Sequence, residues 1–244
     1  MTYNDDKKLK IGEAAEFLGV TVQTLRNWDK SGKLPTQKSE GGHRYYFQKN
    51  LERFIVDLSS LGLAWASSAQ PPQIPQEYYC ERQDRFTSRL EKMAIQLLHD
   101  GAVGRDMASL LTAVSGEIGD NSFMHNVGNW PDAQGIFFAY DIGKRIIVLA
   151  DRGQGVRATL LRVRPQIATD TEALRIAFTE IVSGRAPEKR GNGLKVVRRI
   201  VERGDIALLF RSGVGRIRYP QKSSSLIVET AGDNIRGTYA VITF

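Results

Sequence analysis

The sequence has one cysteine, Cys80, among 244 residues, which excludes an intramolecular disulfide framework and a cysteine-based zinc cluster. It has no apolar run near the ~18 residues that a membrane span requires, and the start Met1-Thr2-Tyr3-Asn4 lacks the apolar core of a secretory signal. These absences predict a soluble, cytoplasmic protein with no membrane partner. The hydrophobic content of 41% suffices for packed cores and argues against wholesale disorder.

A phosphate-binding loop of the GxxxxGK[ST] type is also absent from the chain. Any use of a nucleoside triphosphate must therefore depend on a different kind of site. No stretch resembles the phosphoacceptor box of a self-phosphorylating sensor kinase, which makes autophosphorylation an unfavoured interpretation.

The chain is basic, with a net charge of +7 and an isoelectric point near 9.5, which favours polyanionic partners. Residues 23–49 carry six bases against two acids, and residues 140–220 carry seventeen bases against eight acids. Charge alone does not choose between nucleic acid, nucleotide phosphates and a solvated surface.

The N-terminal residues have the pattern of two short helices. Residues 8–18 form an amphipathic repeat, Gly19 can end that helix, and Thr21 is a good N-cap for a second helix through residue 30. Two helices joined by a tight glycine turn are typical of the DNA-binding helix-turn-helix. A helical hairpin with no role in DNA binding is the alternative.

A β-hairpin tip is predicted at residues 40–47, and a further helix at residues 50–58. Residues 9–58 together resemble the winged helix-turn-helix of MerR-type regulators and excisionases. The matching stretches are Ile11-Gly12-Glu13-Ala14-Ala15, Leu18-Gly19-Val20-Thr21, Thr24-Leu25-Arg26-Asn27-Trp28 and Gly41-Gly42-His43-Arg44-Tyr45. The resemblance implies double-stranded DNA as a partner, with the helix at 21–30 in the major groove.

Candidate DNA contacts follow from that resemblance. On the second helix they are Thr21, Gln23, Thr24 and Arg26, and on the wing they are His43 and Arg44. Trp28 and Tyr45 are expected to support the core or the wing instead of reading bases.

The predicted domain organisation has three parts: a helix-turn-helix domain at 1–60, a linker rich in Pro, Ser and Gln at 61–82, and a second domain at 83–244. Residues 82–99 form a helix with apolar side chains at heptad-like spacing, namely Phe86, Leu90, Met93 and Leu97. This row either packs on the second domain's sheet or forms the seam of a homodimer.

The remaining sequence alternates between the two kinds of element. Helices are predicted at 107–125, 171–183 and 194–203, and strands at 135–140, 145–150, 206–211, 214–219, 225–229 and 238–244. The expected fold class is α+β with two domains, the second being an α/β sandwich in which helices cover a mixed sheet.

Three short motifs occur in order in this second domain: Glu117-Ile118-Gly119-Asp120-Asn121, Asp151-Arg152-Gly153-Gln154-Gly155 and Gly191-Asn192-Gly193-Leu194. Residues 100–244 thereby resemble the Bergerat-type ATP site of the GHKL group, which contains gyrase, heat-shock chaperones, mismatch-repair ATPases and sensor histidine kinases. The resemblance implies a Bergerat-type fold with ATP and Mg²⁺ as cofactors.

The first motif supplies the candidate metal and catalytic groups. Glu117 and Asn121 are one helical turn apart, so both project from one face. The amide oxygen of Asn121 suits Mg²⁺ together with phosphate oxygens and water. Glu117 has the position of a general base toward the attacking water.

The other two motifs supply the candidate nucleotide contacts. Asp151 ends an apolar strand and can accept a hydrogen bond from the adenine N6 amino group, while Gly153 and Gly155 permit close approach of the backbone. Thr238 matches a threonine that helps to hold adenine in the family. Phosphates are expected at the helix start formed by Gly191, Asn192, Gly193 and Leu194. Basic residues of the intervening lid, Arg185, Lys189 and Arg190, neutralise the triphosphate or face solvent.

The first functional interpretation is an ATP-responsive, DNA-binding transcription regulator. One alternative is a serine/threonine or histidine protein kinase of the anti-sigma or sensor type, which would add a protein partner. Another is an ATP-hydrolysing DNA-processing factor. Gyrase-like motors add a transducer domain that supplies a lysine to the γ-phosphate, and the sequence shows none, so at most weak Mg²⁺-dependent hydrolysis is expected.

Overall fold

The computed structural model describes residues 7–18, 20–32, 34–38, 42, 44–55, 57–99, 101, 103–180, 193–203, 205–223 and 225–244. The chain divides into two compact units, Met1–Asp57 and Leu58–Phe244, called unit 1 and unit 2 below. No helix of the described residues is long and apolar enough to span a membrane.

Unit 1 is a small helical domain with a three-stranded antiparallel sheet of strand order β1-β3-β2. Its elements are β1 (Lys8–Lys10), α1 (Ile11–Leu18), α2 (Val22–Lys30), β2 (Gln37–Lys38), β3 (Arg44–Phe47) and α3 (Gln48–Ile55). The strands β2 and β3 form the predicted wing. The predicted turn residues Gly19, Gly41 and His43 lie outside the described residues.

The sequence pattern accounts for the core of unit 1. Ala14, Leu25 and Leu51 are fully buried at the meeting point of the three helices. The Trp28 ring packs 5.0 Å from the Phe54 ring, so Trp28 supports the core as predicted from the sequence. Thr21 caps α2, because its hydroxyl oxygen accepts a hydrogen bond from the Thr24 N–H at 3.1 Å.

Unit 2 combines six helices with one five-stranded sheet among its described residues. Its helices and strands are α4 (Leu58–Ser67), β4 (Tyr79–Cys80), α5 (Gln83–His99), α6 (Arg105–Asn126), β5 (Ile136–Asp141), β6 (Ile146–Asp151), α7 (Gly155–Leu161), α8 (Asp170–Thr179), α9 (Gly193–Arg203), β7 (Ala207–Tyr219) and β8 (Ile227–Thr243). A 3-10 turn at Gln76–Tyr78 precedes β4.

The sheet of unit 2 has the strand order β4-β5-β6-β8-β7, and each neighbouring pair is antiparallel. The expected mixed sheet is therefore wrong for the described strands. The four strands predicted after residue 205 are two long ones, β7 and β8. Their pairing continues through register shifts near Gly213, whose φ of +59° marks a bulge where the sequence suggested a break.

Helices cover both faces of this sheet because its strands are apolar on both sides. Phe138 and Leu149 point into a core shared with α5, α6 and α9. Phe137 and Val148 point to the opposite face, where α4 packs. A Cβ atom added at Gly62 of α4 would lie 2.6 Å from Val148 Cγ1, so the close approach of this helix requires glycine.

The predicted linker at 61–82 is corrected by this arrangement. Its first residues belong to α4, and its last residues form β4, which pairs with β5. The Pro/Ser/Gln composition masked these elements, because α4 has little polar periodicity and β4 is only two residues long. The boundary between the units accordingly falls at residue 57 instead of residue 60.

The heptad-like row on α5 packs inside unit 2. Phe86, Met93 and Leu97 are buried in the main core, and Leu90 packs against it. This outcome matches the sheet-packing alternative and removes the row as a seam for a homodimer.

Candidate functional site

A cavity of about 130 Å³ opens in unit 2 beside the end of β6. An apolar cavity of similar size in another protein binds benzene, so this one has room for an aromatic ring. It is lined by Ile118, Asn121, Ser122, His125, Asn126, Asp151, Gly155, Val156, Thr159, Leu160, Ala177, Glu180, Gly193, Leu194, Lys195, Phe210 and Thr238. Six of these residues are predicted nucleotide contacts, from segments far apart in the sequence.

The central polar group of the cavity is the Asp151 carboxylate. Its side chain is 1% exposed, and burial raises the pKa of this carboxyl. One oxygen accepts hydrogen bonds from the Ser122 hydroxyl at 2.8 Å and from the Thr238 hydroxyl. The other accepts the Gly153 N–H at 2.8 Å. The strand-end carboxylate and Thr238 are thus directly linked.

The turn after Asp151 packs closely against the side chain of Asn126 on α6. Asn126 is 4% exposed, donates to the Ser122 carbonyl at 2.8 Å and accepts the Gln154 N–H at 2.9 Å. A Cβ atom added at Gly153 would overlap the Asn126 amide. The contact with Asn126 therefore requires glycine at position 153, whether or not a ligand also approaches the backbone there.

A second glycine position also depends on its surroundings. Gly155 has φ of +78°, and an added Cβ atom would lie 2.8 Å from the Ser212 hydroxyl oxygen. That hydroxyl donates to the Gly237 carbonyl at 2.8 Å and accepts the Val156 N–H at 2.9 Å. Ser212 thereby fixes the start of α7 against β8.

The first motif meets the third at one edge of the cavity. A Cβ atom added at Gly193 would lie 2.6 Å from Glu117 Oε2 and 3.0 Å from Asn121 Nδ2. Glu117 and Asn121 therefore face the first residue of α9. Gly191 and Asn192 lie outside the described residues, as do Arg185, Lys189 and Arg190.

The described residues contain no cluster of three or more His, Cys, Asp or Glu side chains that could hold a metal ion by themselves. A Mg²⁺ ion at this edge would instead take Asn121 as its protein ligand, with nucleotide phosphates and waters completing the octahedron. An amide oxygen beside a half-buried carboxylate fits that chemistry.

Six polar residues that line the cavity were not among the predicted contacts, namely Ser122, His125, Asn126, Thr159, Glu180 and Lys195. Ser122 and Asn126 are one helical turn apart on α6, next to Asn121 around the helix, so their spacing of four residues was the available signal. Lys195 follows the glycines at the start of α9 and lines the cavity. Burial lowers the pKa of its ammonium group.

In unit 1 the exposed face of α2 carries Gln23, Arg26 and Asn27. Gln23 donates to the Asn27 side-chain oxygen at 3.1 Å, which holds the two amides side by side. Asn27 was not among the predicted DNA contacts, although its position four residues after Gln23 places it on the same face. The hydroxyls of Thr21 and Thr24 lie 2.9 Å apart at the helix start.

The wing is held against α2 by an ion pair. Arg44 Nε donates to Asp29 Oδ2 at 2.9 Å, and the other Asp29 oxygen accepts the Thr36 N–H at 2.9 Å. The Thr36 backbone and the Arg44 guanidinium lower the pKa of the Asp29 carboxyl. Arg44 is thus a structural link between wing and helix, whatever it contacts in addition. His43 lies outside the described residues.

Comparison with known proteins identifies the class of unit 1. Residues 10–46 match the model of the MerR family regulatory protein, so the chain carries a MerR-family helix-turn-helix domain at its N-terminus.

Individual relatives match the same end of the chain. The nodulation protein NolA of Bradyrhizobium diazoefficiens is 44% identical over 61 residues, covering 24% of this chain and 26% of that protein. The HTH-type transcriptional activator TipA of Streptomyces coelicolor is 34% identical over 94 residues, covering 34% and 37%. The mercuric resistance operon regulatory protein of Bacillus cereus is 36% identical over 58 residues, covering 22% and 44%. The chain thus spans less than half the length of these relatives.

Proposed function

We propose that the protein is an ATP-binding, DNA-binding regulator in which the nucleotide state of unit 2 controls site-specific DNA binding or oligomerisation. The observation that carries the proposal is the buried Asp151 carboxylate in a cavity of aromatic-ring size. Buried carboxylates are costly unless a partner favours the charged form. The N6 amino group of adenine would provide such a partner and select ATP over GTP.

The walls of the cavity suit the rest of a base. Apolar side chains from Ile118, Val156, Leu160 and Phe210 line it and would contact the faces and edges of a purine. Most ligand pockets are mainly apolar with a few fixed polar groups. This composition supports a Bergerat-type nucleotide site in unit 2.

The phosphates would extend toward the start of α9. Free backbone N–H groups and the positive end of the helix dipole favour anions there, and Lys195 adds a cation. Asn121 would hold Mg²⁺, which neutralises phosphate charge when bound. Glu117, one turn away on α6, would orient a water molecule and accept its proton.

Unit 1 would provide DNA binding. Its MerR-family domain exposes Gln23, Arg26 and Asn27 on one face of α2, the chemistry of major-groove contacts. Two matched relatives are named a transcriptional activator and an operon regulatory protein, which supports a role in transcription. Specific binding by so small a module favours two copies on a repeated site, and hence a homodimer.

Weak ATP hydrolysis is the second candidate function, and the position of Glu117 opposite Gly193 favours it. Labelled Mg²⁺-ATP incubated with the full-length protein, then resolved into free phosphate, phosphoprotein and unreacted nucleotide, separates a hydrolase, a kinase and a passive sensor.

Glu117→Ala should keep ATP affinity and lose any hydrolysis, because a general base contributes roughly 10²–10⁴-fold to rate and little to ground-state binding. Asn121→Ala should weaken Mg²⁺-ATP binding itself. Hydrolysis that survives Glu117→Ala unchanged would remove the general-base assignment.

Calorimetry tests the nucleotide site directly. Wild-type protein should bind ATP in the presence of Mg²⁺ and should bind GTP more weakly. The matched control for Asp151→Asn is Asp141→Asn, because Asp141 lies on β5, pairs with Lys144 at 3.8 Å and does not line the cavity. Equal ATP affinity in wild type and Asp151→Asn, or equal affinity for ATP and GTP, would overturn the assignment of Asp151.

A further inference from the structure

Two residues of the cavity have chain neighbours that reach the opposite face of the sheet. Asp151 is followed by Arg152, and Thr238 is followed by Tyr239. Asp151 and Thr238 share a hydrogen bond in the cavity, whereas Arg152 and Tyr239 both bind α4. The two-residue period of β-structure places successive side chains on opposite faces, so each pair spans the sheet.

Arg152 is the more strongly bound of the two. Its side chain is fully buried and donates to the carbonyls of Trp65 and Ser68 at the C-terminal end of α4, the latter at 2.9 Å. It also forms a bidentate ion pair with Asp132, in which Nε donates to Oδ1 at 3.1 Å and Nη2 donates to Oδ2 at 2.6 Å. A planar guanidinium can satisfy all these acceptors at once, and a lysine ammonium cannot.

Tyr239 holds the other end of the same helix. Its hydroxyl donates to the Ser59 carbonyl at 3.0 Å, near the first residue of α4. Its ring lies 3.3 Å from the position of a Cβ atom added at Gly62. Helix α4 is therefore fixed at both ends by neighbours of the two proposed adenine contacts.

The chain position of α4 gives this arrangement a consequence. Helix α3 of unit 1 ends at Ile55, and α4 begins at Leu58, the first residue of unit 2. A shift of α4 on the sheet would therefore move the start of unit 2, which follows unit 1 directly in the chain. The indole N–H of Trp65 is buried without a hydrogen-bond partner among the described residues, and such a group raises the energy of the packing that it belongs to.

We propose that α4 is the element through which nucleotide binding alters DNA binding, with Arg152 and Tyr239 as the positioning residues that couple it to the cavity. The proposal rests on the nucleotide-controlled regulator proposed above. A ligand can shift an equilibrium only through different contacts in the two states. Adenine bound to Asp151 and Thr238 would change the hydrogen bonds at the residues adjacent to Arg152 and Tyr239.

The main test compares Tyr239→Phe with Tyr140→Phe in the full-length protein. Each change removes one tyrosine hydroxyl that joins the sheet to a helix, because Tyr140 donates to Gln96 of α5 at 2.6 Å. Only Tyr239 contacts α4. The probe is a labelled duplex selected from a random pool by the wild-type protein, titrated with and without Mg²⁺-ATP, while calorimetry measures ATP affinity.

Wild type and Tyr140→Phe should show a coupling factor, the ratio of the two DNA dissociation constants, of about 5 or more, as is typical of allosteric proteins. Tyr239→Phe should bind ATP within about twofold of wild type while its coupling factor falls toward 1. Arg152→Lys keeps the positive charge beside Asp132 but loses the planar guanidinium that binds several acceptors at once. This variant should also lose coupling. Hydrogen exchange of residues 58–67 should respond to ATP in wild type and in Tyr140→Phe, and should not respond in Tyr239→Phe.

The possible failures are distinguishable. If the wild type couples ATP to DNA and both Tyr239→Phe and Arg152→Lys couple equally well, α4 is not the coupling element, and the regulator proposal stands. A wild-type protein that binds ATP without any change in DNA affinity, mass or exchange at residues 58–67 overturns the coupling role and the regulator together. Absence of ATP binding removes the nucleotide site itself, and the coupling proposal with it.

Discussion

Two aspartates show how differently the two units use the same side chain. Asp29 in unit 1 lies near the surface, where the Thr36 backbone and Arg44 lower the pKa of its carboxyl. Asp151 in unit 2 is buried in a cavity, and desolvation raises the pKa of its carboxyl despite three hydrogen-bond donors. Asp29 is satisfied by the fold, whereas Asp151 would gain from a further partner. This contrast between a completed structural contact and an incomplete one separates scaffold from candidate site.

The two arginines that join neighbouring elements show the same contrast in burial. Arg152 is fully buried against Asp132, while the Arg44 side chain is 34% exposed beside Asp29. Arg152→Ala should cost about 3–5 kcal/mol of unfolding free energy, because it removes the buried ion-pair partner of Asp132 and the donor to the carbonyls of Trp65 and Ser68. Arg44→Ala should cost about 0.2–1 kcal/mol, since exposed ion pairs contribute little.

Denaturant titration of the two variants measures this difference. For a domain of the size of unit 2, the Arg152→Ala loss corresponds to a fall of roughly 6–20 °C in melting temperature. An equal loss of unfolding free energy in the two variants would contradict the conclusion that the buried contacts of Arg152 contribute more to stability than the ion pair of Arg44.

The next largest effect concerns ligand binding at Asp151. Asp151→Asn should weaken ATP binding by roughly 1–3 kcal/mol, because the amide can present its N–H₂ group to the adenine amino group. The same change removes a buried carboxyl, so the ATP-free protein should melt no lower than wild type. Calorimetry and thermal unfolding of one preparation test both statements. If Asp151→Asn lowers the melting temperature of the ATP-free protein together with its ATP affinity, the role of Asp151 is structural.

A smaller effect is expected at α2, the helix proposed to contact DNA. Arg26→Ala should weaken duplex binding by an amount near the lower end of the ~1–3 kcal/mol range for a base contact. Lys10→Ala, which removes the same charge from an exposed position on β1, should have less effect at moderate salt. Anisotropy titrations at several salt concentrations separate the cases, since a lost phosphate contact also reduces the salt dependence by about one unit. Equal effects of both variants would indicate that only net charge matters.

Local sequence patterns predicted unit 1 better than the boundary of unit 2. Helix periodicity and the Thr21 cap located α1 and α2 within a few residues, because these signals lie within one element. The helix α4 was missed, since its partners Arg152 and Tyr239 are more than 80 residues away in the sequence. The site followed the same rule: the glycine motifs indicated the cavity, while Ser122 and Asn126 depend on tertiary contacts to Asp151 and Gln154.

The smallest predicted effect is an opposite pH dependence at the two aspartates. Asp29 has a lowered folded-state pKa, so its contribution to stability is present above the unfolded-state value of about 3.9 and is lost as pH falls through the folded value. Asp151 has a raised pKa, so its contribution is present below the unfolded-state value and is lost as pH rises through the folded value.

Comparison of each wild-type unit with its Asp→Asn variant isolates these contributions from those of other carboxyl groups. As pH rises above the unfolded-state value of about 3.9, Asp151→Asn should gain stability relative to wild type in unit 2. Asp29→Asn should lose stability relative to wild type in unit 1 as pH rises from the acid side, over a lower range. Hydrogen exchange measured separately for the slowest amides of each unit reports both trends on the full-length protein. Bound adenine would favour the ionised form of Asp151, so saturating ATP should shift the unit 2 trend to higher stability at neutral pH. The two variants are compared by how their stability relative to wild type changes with pH. If this change has the same sign in both, burial does not raise the pKa of the Asp151 carboxyl, and the proposed contrast with Asp29 is wrong.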